Sequence, residues 1–574
     1  MKKLYCFFLF LLVQNYLFAE PECLKRIHAH LTIHDAESAC VEAKMALEQF
    51  PDNHELSESY IKALSLAKNE HQLILFAQDY LSRFPEKLKQ REMLEHLSWG
   101  VIENGSLSSA PLIRIYALLA AFFANDAKGI ALIKKSLDDN NSLLRAAAIQ
   151  LSSELRDIKL QDKILKVMSH DPVFIIRLEA IKAVGLMKNN DAKEQLQQII
   201  ANDSAEHEEK ALAIESLVNI MDSVRREEIE NLSNSSRFGF RLLACELVLA
   251  QELEKDIDLI MPLLYDPQRE VRKAALEVIG TLRIKSFQGR KVSDIVQGLL
   301  NDLEPQVRVT AAFVLILNDK LSGQEAFKPF LKSEVKEIRL LAASALAKSG
   351  QYGFPLIIQA FNEATDPFVK MNLSFGLIGQ REMIEPACNA LYLGLIEEHE
   401  PFMWVENGIF KYLALSKHST KESIPNQKQA MNQLVRLEIL NILSIMKYKH
   451  AEDGIRQFLK KTTWGISAMA SLLILSEGDE SSIELVQNLL KDPDEKIRVQ
   501  AALILSLWNS GDDAIYILQD SYKTADREMK ERILEGVGRI GSLSSISFLV
   551  ECLGEPFQSL RVIAASSLLQ ILYH

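Results

Sequence analysis

Gly536-Val537-Gly538-Arg539-Ile540-Gly541 spells the Gly-x-Gly-x-x-Gly string that can cradle a dinucleotide pyrophosphate. That chemistry needs a strand before the first glycine and a helix opening after it. Here Arg532-Ile533-Leu534-Glu535 reads as the body of a helix that the glycines end, so nucleotide binding is not expected. His30 and His34 stand four apart, with His28 and Asp35 nearby, a spacing that would turn two imidazoles to one helix face for a metal. No third ligand is placed to complete the set, and ordinary surface histidines are expected. The chain has no Cys-x-x-Cys, Gly-x-Ser-x-Gly, His-Glu-x-x-His or phosphate-loop string. It is therefore read as non-enzymatic, with no catalytic residue, cofactor or metal.

The elements that would have to position any site repeat along the chain. Asp266-Pro267 is followed by Val271-Arg272 and Ala275. The frame recurs as Asp171-Pro172 with Arg177 and Ala180, Asp492-Pro493 with Arg498 and Ala501, and Glu555-Pro556 with Arg561 and Ala564. Asp caps a helix N-terminus, and Pro at the first helical position loses no needed hydrogen bond. Aligned on the basic residue, the frame gives Arg114, Arg145, Arg177, Lys210, Arg241, Arg272, Arg308, Arg339, Lys370, Arg436, Arg498, Lys530 and Arg561. Gaps are 31 to 33 residues, with one of 36 and two double gaps of 66 and 62. Degenerate units are expected near Trp404 and Ser467, making about fifteen in all.

Within Asp171–Ile200, apolar residues follow the helical period, break at Lys188–Asp191, and resume at Leu196, Ile199 and Ile200. Each unit is thus a helical hairpin that buries its faces only against copies of itself. The expected fold is an all-α solenoid of stacked antiparallel helix pairs. The recurrent Ala permits close helix approach, and each Arg is expected to reach the capping carboxylate or loop carbonyls of a neighbouring layer. Arg114, Arg145, Arg177, Arg241, Arg272, Arg308, Arg339, Arg436, Arg498 and Arg561 are read as a structural ladder.

This pattern resembles HEAT repeats of the short, phycobilisome-lyase-like kind, over residues 98–574. The resemblance implies an α-solenoid, commonly a protein-binding scaffold, with the Arg-bearing helices along the concave side. Deoxyhypusine hydroxylases, similar repeats, bind two irons through His-Glu pairs that directly follow the Arg in adjacent units. Here His207-Glu208 precedes Lys210 and His399-Glu400 lies six units away, while His54-Glu55 falls outside the frame. Di-iron chemistry fails on register.

Residues 20–97 carry Phe50-Pro51-Asp52 and Phe84-Pro85-Glu86, 34 residues apart, with Ala39, Ala43 and Ala46 ahead of the first. They resemble two degenerate tetratricopeptide hairpins that would continue the solenoid. Residues 1–19 have a Lys2-Lys3 start, an apolar run from Leu4 to Val13 and a small residue at Ala19, the layout of a secretory signal peptide. An uncleaved anchor is the alternative, and no later segment looks long and apolar enough to span a bilayer. Cleavage would leave an exported chain, periplasmic or secreted if bacterial. It would also expose Cys23 and Cys40 to oxidation, and whether they bridge is open at this stage. Cys245, Cys388 and Cys552 lie in apolar helical segments and read as core.

Two departures from the period are candidate partner contacts. The gap before Arg308 holds Arg283, Lys285, Arg290 and Lys291, either a docking loop or a solvated turn. Near the second, Phe402 and Trp404 replace the Val-Arg frame, an aromatic cluster read as packing a distorted layer in preference to a partner hot spot. The polar stretch from Ser416 to Gln433 reads as exposed loop.

The 574 residues carry 65 basic and 77 acidic side chains, a net charge of −12, or −14 without Lys2 and Lys3. An acidic chain does not suit non-specific nucleic-acid binding. The expected function is an exported scaffold that binds a protein or peptide along a curved helical surface. A second reading follows from the resemblance alone: an enzyme related to bilin lyases acting on a tetrapyrrole-bearing protein.

Overall fold

An acidic residue sets the geometry that starts five of the Arg-bearing helices. In the computed structural model, Asp139, Asp171, Asp266, Asp302 and Asp492 each accept, through Oδ1, the backbone N–H two residues on at 2.8–2.9 Å. These are Asx turns lying ahead of the helix, whose first residues are Ser142, Phe174, Arg269, Pro305 and Glu495. The expectation of Asp as cap with Pro at the first helical position is thus corrected for Pro172, Pro267 and Pro493, which precede the helix. Asp366-Pro367 does follow it, with Asp366 capping Phe368 and Val369. Turning the chain with one carboxylate oxygen leaves the other free for a second donor.

The structure describes residues 22–396, 402–407, 409–415, 427–461, 480–507 and 512–573. The expected signal segment 1–19, the degenerate unit at Ser467 and the polar stretch from Ser416 through Asn426 lie outside them. The fold is an all-α solenoid with two small β-hairpins. It divides into two compact units, Met1–Ile164 with Leu505–His574, and Leu165–Ile504.

Both ends of the chain lie in the first unit. The last helix, Gln558–Tyr573, packs on Arg527–Ile540 and also on Arg91–Ser106 and Pro111–Ala124. Its residues Val562 through Ile571 are buried without interruption. Gly105 permits the approach: a Cβ there would stand 2.5 Å from Val562 Cγ2. The expected boundary between residues 97 and 98 falls inside the Arg91–Ser106 helix.

The second unit stacks Arg- or Lys-bearing helices: Phe174–Leu186, His207–Ile220, Phe238–Ala250, Arg269–Thr281, Pro305–Asn318, Lys336–Lys348 and Pro367–Gly379. Alanines three residues beyond the basic position, Ala180, Ala213, Ala244, Ala275, Ala311 and Ala342, are fully buried, as are Ala117, Ala148 and Ala564 in the first unit. β1 (Ser286–Phe287) pairs antiparallel with β2 (Arg290–Lys291). β3 (Phe402–Asn407) pairs antiparallel with β4 (Phe410–Leu415), from Phe402↔Leu415 to Asn407↔Phe410. A β-hairpin therefore stands where a degenerate helical unit was expected near Trp404. The physical reason is local: aromatic and β-branched residues favour strands, and the paired ends leave only Gly408 and Ile409 between them.

Candidate interaction surface

The arginine positions build a rail along the helix starts. Nη1 of Arg145, Arg177, Arg241, Arg272, Arg308, Arg339, Arg498 and Arg561 donates to the carbonyl six residues earlier, at 2.8–3.0 Å. These carbonyls belong to each arginine's own turn, and the carboxylate it grips belongs to the following turn. Arg241 makes a two-pronged contact with Asp266 at 2.6 and 2.9 Å, and Arg272 one with Asp302 at 2.8 Å on both prongs. Asp266 and Asp302 in turn offer their backbone carbonyls to Arg272 and Arg308. Arg339 reaches Asp366 at 3.1 Å, and in the first unit Arg114 reaches Asp139 at 2.6 Å.

Electrostatics follow this geometry. The hydrogen bond to Asp302 raises the Arg272 guanidinium above its ordinary value. Burial pushes the Asp302 carboxyl up, yet Arg272 and the Glu304 N–H hold it below the usual range. Arg177 and Arg308 have no carboxylate among the described ion pairs, because Ser204 and Ser333 occupy the position six before Lys210 and Arg339. Arg436 departs from the rail: its Nη1 donates to the Leu395 carbonyl at 2.7 Å, and burial lowers its pKa. Sequence reasoning missed Arg456, which supplies the grip on Asp492 at 2.9 Å from the Ala451–Lys461 helix. Its signal was the acid at Asp492, left without an aligned arginine one period earlier.

The basic segment before Arg308 is the β1–β2 hairpin, with Gln288 and Gly289 both at positive φ as its two-residue turn requires. Arg283 and Lys285 fold over the Tyr352 ring at 5.3 and 5.7 Å, and Lys285 Nζ donates to the Leu317 carbonyl at 2.8 Å. A cation at that helix C-terminus meets the negative end of its dipole. Arg290 and Lys291 are exposed.

The β3–β4 hairpin lies on the Arg-bearing helices of the second unit. Phe410 is fully buried and meets Phe313 edge-on at 4.9 Å; Leu413 is fully buried and Tyr412 nearly so. β4 packs on Lys336–Lys348 and Pro367–Gly379. Its backbone and the turn before it are held by side chains of three helices. Ile409 N donates to Glu277 Oε1 at 3.3 Å, Leu413 N donates to Asn372 Oδ1 at 3.3 Å, and the Lys411 carbonyl accepts from Ser344 Oγ. Polar side chains thus satisfy backbone groups that an uncovered strand would leave open. Phe402 and Trp404 place their backbone in β3, opposite Leu415 and Leu413.

Beside Glu277 opens a cleft of about 300 Å³ lined by Glu246, Lys273, Glu304 and Leu242, among others. Burial pushes the Glu277 carboxyl up against the opposing pull of Lys273, and the Glu246 charge adds to the rise. Burial likewise raises Glu246. Sequence reasoning missed Glu277, Ser344 and Asn372. The first two stand five residues beyond Arg272 and Arg339, a polar recurrence in apolar helices that was there to be seen.

Other chemistry finds little to build on. Among the described residues, no group of three or more His, Cys, Asp or Glu is placed to hold a metal, and no helix is long and apolar enough to cross a membrane. Cys23 and Cys40 are free thiols, as are Cys245, Cys388 and Cys552. Burial pushes the Cys40 thiol up to about 11 and the Cys552 thiol to about 12, which disfavours thiolate chemistry. Gly536 and Gly538 lie inside Arg527–Ile540, which Gly541 ends in a left-handed conformation.

A family model described as HEAT repeats matches residues 482–569. No curated protein matches the chain. Among solved structures, Kap121p is similar at 13% identity over 92% of this chain and 76% of that one, with a TM-score of 0.37. Kap121p bound to Pho4p is similar at 12% identity over 92% and 80%, with a TM-score of 0.36. The complex of CpcE and CpcF of phycocyanin lyase from Nostoc sp. PCC7120 is similar at 16% identity over 52% of this chain and 92% of that one, with a TM-score of 0.21.

Proposed function

We propose that the protein is an exported, non-enzymatic scaffold that binds a protein or peptide along the Arg-bearing helices of its second unit. The observation that supports this reading is the bed under β4. Ser344 and Asn372, on two separate helices, each bond a main-chain group of one extended strand, and Glu277, on a third, bonds the Ile409 N–H of the turn that leads into it. Such contacts hold polypeptide in extended form with little regard to its side chains, while the buried Phe410 and Leu413 positions add selectivity. The rail of arginines and aspartates keeps the helices in register, so that the three groups stay aligned. A tetrapyrrole lyase, the second reading, gains no support from any described residue.

Photo-crosslinking tests the scaffold reading. A photoreactive residue is placed in turn at Glu337, exposed on the Lys336–Lys348 helix that β4 packs on, and at Leu321 on an exposed helix elsewhere in the unit. A partner captured reproducibly from Glu337 and not from Leu321, and then rebinding as purified protein, supports the reading. Failure of any purified partner to rebind overturns it.

A further inference from the structure

The hairpin on the helical surface behaves, in its chemistry, as a bound ligand that happens to be covalently attached. β4 presents one edge to β3 and the other to Ser344 and Asn372, while Glu277 takes the N–H of Ile409 in the turn before it. Lys411 O and Leu413 N, the groups bonded within the strand, lie on the edge that faces away from β3. Phe410 and Leu413 are fully buried, Tyr412 is nearly so, and Lys411 between them is exposed. A repeat hairpin would have continued the stack here; the chain instead lays a strand across several repeats.

We infer that this surface is a site for an extended segment of a partner protein. That segment carries an aromatic–x–aromatic–aliphatic run like Phe410-Lys411-Tyr412-Leu413, and β3–β4 occupies the site until the partner displaces it. The inference rests on the scaffold reading and names its ligand class and its competitor. Recognition comes from three side-chain bonds to main chain plus the pocket at Phe313, so the partner need match β4 only in extended form and in its buried residues. A tethered strand competes at an effective concentration of about millimolar, so an untethered segment binds the parent chain weakly. Loosening the tether strengthens that binding without adding a contact.

The probe is a fluorescent synthetic peptide of residues 407–415, titrated against the full chain and its variants by anisotropy. Phe410→Asp in the protein removes the main apolar anchor of the hairpin and leaves the receiving helices intact. The expected result is at least about tenfold tighter peptide binding to Phe410→Asp than to the parent. Adding Asn372→Ala to that variant is expected to remove most of the gain. If Phe410→Asp lowers helicity at the assay temperature, Leu413→Ala in the protein takes its place with the same expectation. Equal peptide binding to parent and folded variant, or a gain that survives Asn372→Ala, overturns the inference. The crosslinked partner separates the two readings. A partner that binds parent and variant equally leaves the scaffold standing and removes the competitor, whereas a partner that rebinds neither removes the scaffold.

Discussion

Arg561, in the last helix of the chain, sets its Nε 2.7 Å from Oε1 of Glu70, 491 residues earlier. Arg561 also donates to the Glu555 and Pro556 carbonyls of its own turn, so it sits in the rail like Arg272, with Glu70 in the place of the next unit's acid. Gln78 Nε2 adds bonds to the Val550 and Glu551 carbonyls, and Tyr116 donates to Glu531 at 3.0 Å. A terminal solenoid repeat ordinarily needs a polar outer face. The Gln558–Tyr573 helix instead buries Val562 through Ile571, with Arg91–Ser106 and Pro111–Ala124 packed against it.

Glu70→Ala and Arg561→Ala should each destabilise the first unit by about 1–3 kcal/mol, since each leaves a largely buried charge without its partner. The double variant should cost less than the sum, with a coupling of about 1 kcal/mol in a double-mutant cycle followed by urea unfolding. Additive losses would mean the pair is not coupled.

Arg272→Ala should cost about 2 kcal/mol or more, because it strands Asp302, whose side chain is 8% exposed. Arg308→Ala should cost less, since Arg308 grips only carbonyls. Ser333→Asp places an acid where the rail lacks one and should stabilise the chain by about 0.5–1 kcal/mol, an effect lost when Arg308 is absent. Thermal unfolding of the parent, the three single variants and Arg308→Ala/Ser333→Asp reads all of this.

Gly538→Val should destabilise by about 2–4 kcal/mol. A Cβ at Gly538 would stand 2.8 Å from the Ser567 Cα, backbone that cannot step aside. Early loss of the Gln558–Tyr573 helix in limited proteolysis is the expected signature.

Glu277 gives a pH dependence of definite sign. Its carboxyl sits above the ordinary glutamate value when folded, so its contribution is complete below that ordinary value and is lost as pH rises through the folded one. Glu277→Gln, whose amide oxygen can still accept from Ile409, should therefore be more stable than the parent at pH 7, by about 1 kcal/mol. The difference should shrink toward pH 4. A difference that grows on acidification would contradict the burial and the Glu246 repulsion.

The repeat frame was legible because packing against a copy imposes the same demands at every period. Ala275 and Ala311 are fully buried for the same reason, and one spacing rule found both. Eight of the ten expected arginines grip a carbonyl of their own turn, whereas Arg436 turns to the Leu395 carbonyl. The hairpin escaped because the double gap was filled by extrapolating the helical period, when the aromatic run and Asn407-Gly408 pointed to strands. Glu277, Ser344 and Asn372 escaped because a polar residue in a helix announces a bond without naming its partner. The Arg561–Glu70 contact was out of reach altogether. It joins residues 491 apart in the sequence, which no single repeat encodes.

Amide hydrogen exchange across residues 409–415 tests the central claim, that the Arg-bearing helices hold an extended strand by its main chain. Slow exchange is expected at Ile409 and Leu413 in the parent, with Leu413 losing protection in Asn372→Ala while Phe313 and its helix keep theirs. Exchange at Ile409 and Leu413 as fast as in an unstructured peptide would contradict it.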